Sequence, residues 1–169
     1  AAVQSGQADG LIAGASITDE RKANGWIFSD SYYDSSQIFA VAADSDIASF
    51  EDLKGKNVAV KNGTQGAAFA ESLKDQYGFT TTVFEDSPTM YQDVIQGNSV
   101  ACVEDKPIIQ DWIVSKGLAL KTVDAMESDP APYGFAIMNQ PLLDLFNAGL
   151  ADIKANGTYD EILAKYLGE

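Results

Sequence analysis

The sequence contains no histidine and a single cysteine, and these two shortages exclude more chemistry than any motif in it suggests. Ser-His-Asp and Cys-His nucleophilic catalysis need an imidazole, so neither can be assembled within the chain, and zinc sites built from His and Cys lack their ligands. Cys102 has no partner for an internal disulfide. It lies in the apolar run Val100-Ala101-Cys102-Val103, where it reads as a small buried residue. Because exported proteins without disulfides are common enough, this cysteine count does not fix the compartment. Long apolar runs are also missing: none approaches the roughly 20 residues a helix needs to cross a bilayer. Residues 1–9 lack the basic start, apolar stretch and cleavage site of a secretory signal, so an export signal is expected only outside this chain. Positive charge is scarce as well. With 11 basic against 25 acidic residues the net charge is −14, which repels phosphate backbones and argues against a nucleic-acid partner. The acidic residues are spread along the chain and read as a solvated surface.

What is present is a core. In 169 residues, 46% are hydrophobic, enough for a domain. Short apolar runs alternate with stretches of helical period, the pattern of an α/β protein with mostly parallel sheets and flanking helices. Leu11-Ile12-Ala13, Ile38-Phe39-Ala40-Val41, Val58-Ala59-Val60, Val100 to Val103 and Phe135-Ala136-Ile137 read as strands. Phe69, Ala70, Leu73 and Tyr77 form one helical stripe; Met90, Tyr91, Val94 and Ile95 form another. Pro88 and Pro107 suit first turns of helices, and Ile108, Ile109, Trp112 and Ile113 continue the second of these. Leu142, Leu145, Phe146, Leu150 and Ile153 line a helix stopped by Asn156-Gly157, and Thr158 with Glu161 reads as the capping box of a last one.

In such alternations ligands bind outside the carboxyl ends of strands, where loops enter helices. The first such loop, Gly14 to Lys22, carries Arg21, the chain's one arginine, whose guanidinium can grip a carboxylate through two parallel hydrogen bonds. The second, Lys61-Asn62-Gly63-Thr64-Gln65-Gly66, opens a helix and offers backbone N–H groups to an anion, but lacks the phosphate-loop spacing. The third, Glu104-Asp105-Lys106-Pro107, brings two carboxylates to a strand end. Asp105 there reads either as a helix N-cap or as an acceptor for an ammonium group. A fixed cation, an amide-rich turn and an anion together complement a zwitterion.

These loops resemble those of the polar amino-acid-binding proteins of ABC importers, the solute-binding family 3 with the two-lobed type II periplasmic-binding-protein fold. The resemblance rests on Gln4-Ser5-Gly6-Gln7-Ala8-Asp9-Gly10 followed by Ala13 to Lys22, then Phe28-Ser29-Asp30-Ser31-Tyr32-Tyr33, with one extra residue near Asn24 to Trp26. It continues through Leu53-Lys54-Gly55-Lys56, Val58 to Thr64, Val103 to Pro107, Tyr133-Gly134-Phe135-Ala136 and Asn156-Gly157-Thr158-Tyr159. It implies an extracytoplasmic, non-enzymatic component that needs no metal or cofactor and delivers an amino acid to permease subunits. Alternatives on the same fold are a sensing domain of a receptor or kinase and a cyclohexadienyl-dehydratase-like enzyme, with Glu104 as its acid. By the same resemblance Arg21 holds the α-carboxylate, aided by Ser16 and by N–H groups near Thr64 and Gln65. Asp105 and the Gly14 carbonyl hold the α-ammonium, and Lys61 and Glu104 face the ligand side chain. The run from Pro88 to Pro107 is most similar to glutamine-binding domains of Gram-positive transporters, which makes glutamine the expected ligand. The family domain begins earlier, so lobe 1 is expected to be incomplete. It would comprise residues 1–33 and 134–169 around lobe 2 at 34–133, with a hinge near 34–37 and 129–133.

Overall fold

A computed structural model describes residues 2, 3 and 5–167, the last without its side chain. The chain divides into two compact units, Ala1–Ser35 with Ala131–Glu169, and Ser36–Pro130.

The second unit is a five-stranded sheet, built from β4 (Gln37–Ala42), β5 (Asn57–Lys61), β6 (Thr80–Phe84), β7 (Ala101–Asp105) and β8 (Leu120–Glu127) in the order β6-β5-β7-β4-β8. Side chains on a strand alternate between faces, and here both faces are buried. Phe39, Val41, Val58, Val60 and Val103 point into one cluster with Leu53 and Phe79, while Ile38, Ala40, Ala59 and Cys102 point into the other. The first cluster is covered by α2 (Gln65–Tyr77), through Phe69, Ala70, Leu73 and Tyr77. The second is covered by α3 (Ser87–Ile95) and α4 (Lys106–Lys116), through Met90, Tyr91, Val94 and Ile109. Phe39 anchors the first cluster, with the rings of Phe50, Phe69 and Phe79 edge-on at 5.4, 5.9 and 6.3 Å. Pro88 and Pro107 lie in the first turns of α3 and α4, as their fixed φ and missing N–H favour.

The first unit contains an antiparallel three-stranded sheet, β1 (Gly10–Leu11), β10 (Ala136–Ile137) and β2 (Ile27–Phe28) in the order β1-β10-β2. A second antiparallel pair joins β3 (Tyr33–Ser35) to β9 (Ala131–Tyr133). Three helices accompany them: α1 (Asp19–Ala23), α5 (Gln140–Ala155) and α6 (Thr158–Leu167).

The mixed α/β class agrees with the periodicity, but four local expectations are corrected. Among the described residues, parallel pairing is confined to β5 with β6 and β5 with β7 and the other ladders are antiparallel, so the sheets are not mostly parallel. An apolar run reports burial on two faces and carries no record of its neighbour's direction. The first strand stops at Leu11, because Ile12 and Ala13 lead into Gly14, whose φ of +64° turns the chain away. On α5 the inward residues are Leu143 and Leu150, with Phe146 against Phe135 at 4.7 Å, whereas Leu145 is 71% exposed. The entry to α6 is held by Asn156, whose Oδ1 accepts the Thr158 N–H at 3.0 Å, in place of a Thr158–Glu161 capping box.

Candidate functional site

In the first unit, Gly14, Ser16 and Arg21 are brought together by one loop. Thr18 caps α1 by accepting the Arg21 amide at 3.2 Å, and the Arg21 side chain folds back so that Nη1 donates to the Ser16 carbonyl at 2.8 Å. The guanidinium is thereby oriented by one N–H, and its others make no hydrogen bond among the described residues. Ser16 is buried and bridges to Tyr133. The Gly14 amide donates to the Tyr32 hydroxyl at 2.9 Å, and a Cβ on Gly14 would come within 3.3 Å of the Tyr133 ring. Burial raises the Tyr32 phenol above its ordinary value, outweighing the opposite effect of the bond from Gly14.

The second unit gathers the remaining candidates at the carboxyl ends of β5 and β7. Thr64 caps α2, accepting the Ala67 amide at 3.2 Å while its hydroxyl donates to the Lys61 carbonyl at 2.8 Å. Its side chain is therefore committed, and what this turn offers a ligand is the amides of Gln65 and Gly66, which have no acceptor among the described residues. Asp105 occupies the N-cap position of α4, but its side chain makes no capping bond. Instead its Oδ1 accepts from Gln37 Nε2 across the β4–β7 ladder, in which the two residues are register partners. The capping reading of Asp105 is thus corrected: a carboxylate pulled toward β4 cannot also fold over the first turn of α4.

Glu104 is 3% exposed and heavily bonded. Lys61 Nζ donates to its two oxygens at 3.0 and 3.3 Å, and Ser87 Oγ and the Tyr91 hydroxyl donate to Oε2 at 2.6 and 3.1 Å. Lys61 also donates to Ser87 Oγ at 2.6 Å. A buried carboxylate needs a counter-charge and filled lone pairs, and this cluster supplies both. Burial, then the charge of Glu104, pushes the Tyr91 phenol well above its usual range, so Tyr91 stays a donor. The same two causes, in the same order, raise the Cys102 thiol, which is inert in its buried setting.

Sequence reasoning missed Ser87, Tyr91 and Gln37. Tyr91 was legible only as part of an apolar stripe, Ser87 only as the residue before a helix-starting proline, and Gln37 as the one polar head of an apolar strand. A cavity of about 440 Å³, lined by Ser45, Asp46, Asp52, Lys56 and Ser99 among others, lies at the opposite ends of β5 and β7. Its Asp52 carboxylate is already occupied by the amides of Ala48 and Ser49.

An α/β chain with a cation-bearing loop in one unit and an amide turn beside acidic side chains in the other has the make-up of a solute-binding protein, and its solved relatives have the type II periplasmic-binding-protein fold. The chain belongs to the bacterial extracellular solute-binding proteins, family 3, which it matches over residues 1–169. It is similar to the ABC transporter arginine-binding protein 1 of Escherichia coli, 31% identical over 91% of this chain and 64% of that protein. It is also similar to the ABC transporter glutamine-binding protein GlnH of Bacillus subtilis, 30% identical over 99% of this chain and 60% of that protein. Among solved structures it resembles the second substrate binding domain of a Streptococcus pneumoniae protein described as an amino acid ABC transporter. The identity is 44%, the TM-score 0.72, and the match covers 98% of this chain and 76% of that one. The chain spans about 64% of the length of the first curated relatives it matches.

Proposed function

We propose that this chain is the amino-acid-binding component of an ABC importer, acting outside the cytoplasm, with glutamine as its ligand. The carrying observation is the Lys61–Glu104 pair at 3.0 Å. An uncompensated buried carboxylate would favour a cationic side chain such as that of arginine. Here the ammonium of Lys61 cancels that charge, so nothing in the pair calls for a cation, which suits the neutral amide of glutamine.

In this reading Arg21 takes the α-carboxylate in a bidentate grip, joined by Ser16 and by N–H groups near Thr64 and Gln65 at the start of α2. Asp105 and the Gly14 carbonyl take the α-ammonium. The two lobes close on the ligand about a hinge near residues 34–37 and 129–133 and pass it to permease subunits, with no covalent step. A similarity to both arginine- and glutamine-binding relatives supports an amino acid as ligand; the choice between the two rests on the ion pair.

The test is calorimetric titration of the full-length protein against all twenty amino acids, with prephenate and arogenate turnover assayed in parallel. Glutamine is expected to bind most tightly and neither prephenate nor arogenate to be consumed. Tighter binding of arginine would overturn the ligand assignment, and turnover would overturn the non-enzymatic one.

A further inference from the structure

The head of β4 is chemically out of place. Ile38, Phe39, Ala40 and Val41 are all fully buried and apolar, yet the strand begins with Gln37, which is 4% exposed. Packing alone would be served by another apolar residue, since an amide taken out of water costs stability wherever it is not hydrogen-bonded. Gln37 is satisfied at one end only. Its Nε2 donates to Asp105 Oδ1, while its Oε1 is buried with no partner among the described residues.

We infer that Gln37 is a positioning residue for recognition of the ligand's α-ammonium, holding the Asp105 carboxylate in place through an amide whose other end lies against the first turn of α2. The inference rests on the proposed role of Asp105 as the ammonium acceptor.

Three features carry it. The first is orientation: turning the amide over would set Oε1 against the carboxylate, acceptor against acceptor, so the charge on Asp105 dictates which end faces it. The second is the neighbouring glycine. A Cβ built on Gly66 would lie 3.0 Å from Gln37 Oε1 and 3.1 Å from the Val103 carbonyl, so the amide lies against the first turn of α2 in a place that any side chain at position 66 would crowd. The third is what the arrangement leaves open. Asp105 is only partly buried, and its Oδ2 makes no hydrogen bond among the described residues. One oxygen is thus tethered and the other remains for a donor that arrives from solution. Gln37 stands between Asp105 and the amide turn of Gln65 and Gly66, the two places assigned to the opposite ends of the zwitterion, and sets their spacing.

The test uses Gln37→Met, which keeps the length of the side chain and leaves the backbone bonds of Gln37 with Ser128 untouched. Affinities of the full-length protein are measured for glutamine and for its deaminated analogue, glutaramate, alone and combined with Asp105→Asn. We expect Gln37→Met to weaken glutamine by about tenfold and glutaramate by less than about threefold, and to cost less than about threefold in the Asp105→Asn background, as for two residues acting through one contact. Retained glutaramate binding shows that the variant folds. Equal losses for the two ligands, or the same loss with and without Asp105→Asn, would reduce Gln37 to a packing residue. Unchanged glutamine binding in Asp105→Asn alone would instead remove Asp105 from the site and the inference with it.

Discussion

Lys61 and Glu104, 43 residues apart in sequence, meet at 3.0 Å at the ends of two adjacent parallel strands. Glu104 is almost wholly buried and the Lys61 side chain is 24% exposed, so the pair sits where solvent screens it weakly.

Replacing the ammonium should therefore do two things. Lys61→Met leaves Glu104 with the hydroxyls of Ser87 and Tyr91 and the Asp105 amide but no counter-charge, and is expected to destabilise the fold by about 3 kcal/mol, the cost of an uncompensated buried charge. It should also shift ligand preference from glutamine toward arginine by about tenfold or more, through the freed carboxylate. Thermal melts and competitive titration measure the two effects separately.

Arg21→Lys should weaken amino-acid binding by at least about tenfold, because an ammonium cannot reproduce two parallel hydrogen bonds to a carboxylate. The melting temperature should hardly move, since the Arg21 side chain makes one hydrogen bond among the described residues, to the Ser16 carbonyl. Wild-type affinity in the variant would take Arg21 out of the site.

Glu127 offers a pH test. Burial alone would raise its carboxyl, but hydrogen bonds from Lys106 and Ser36, with the charge of Lys106, outweigh that and hold it below the usual glutamate range. A depressed carboxylate contributes stability above its unfolded pKa and loses it as pH falls through the folded value. Glu127→Gln should thus be less stable than wild type by about 1 kcal/mol at pH 7, with the gap closing as pH drops below about 4. Urea unfolding across that range reads it directly, and a gap independent of pH would assign the effect to packing.

Phe39→Ala should cost about 3–5 kcal/mol, because the cavity it leaves is walled by three rings held on different elements and cannot collapse. Denaturant midpoints at constant slope would show this. A loss under about 1 kcal/mol would mean that Phe50, Phe69 and Phe79 repack freely.

Local chemistry wrote much of the framework into the sequence. The centres of the buried strands, the starts of α3 and α4 at their prolines and the end of α5 at Asn156-Gly157 follow from burial, fixed φ and chain reversal, each a property of a few neighbouring residues. The strand β6 escaped notice because Thr80, Thr81 and Thr82 make a polar edge with no alternation to read. In β8 the inward residues Leu120, Val123 and Met126 fall three apart, a spacing that imitates a helix turn; the strand follows β4 through an irregular register between Ile38 and Ala40.

The candidate site divides in the same way. The residue types were decided by the sequence itself: a lone arginine in a loop, an amide-rich turn, two adjacent carboxylates at a strand end. Which of them touch was decided only by tertiary structure. The pairing of β5 with β7 puts Lys61 against Glu104, and the pairing of β4 with β7 puts Gln37 against Asp105, drawing that carboxylate off the helix it was placed to cap. Composition and periodicity record how each segment meets water. Strand order and direction are settled by packing between segments distant in the chain, which no local stretch of sequence encodes.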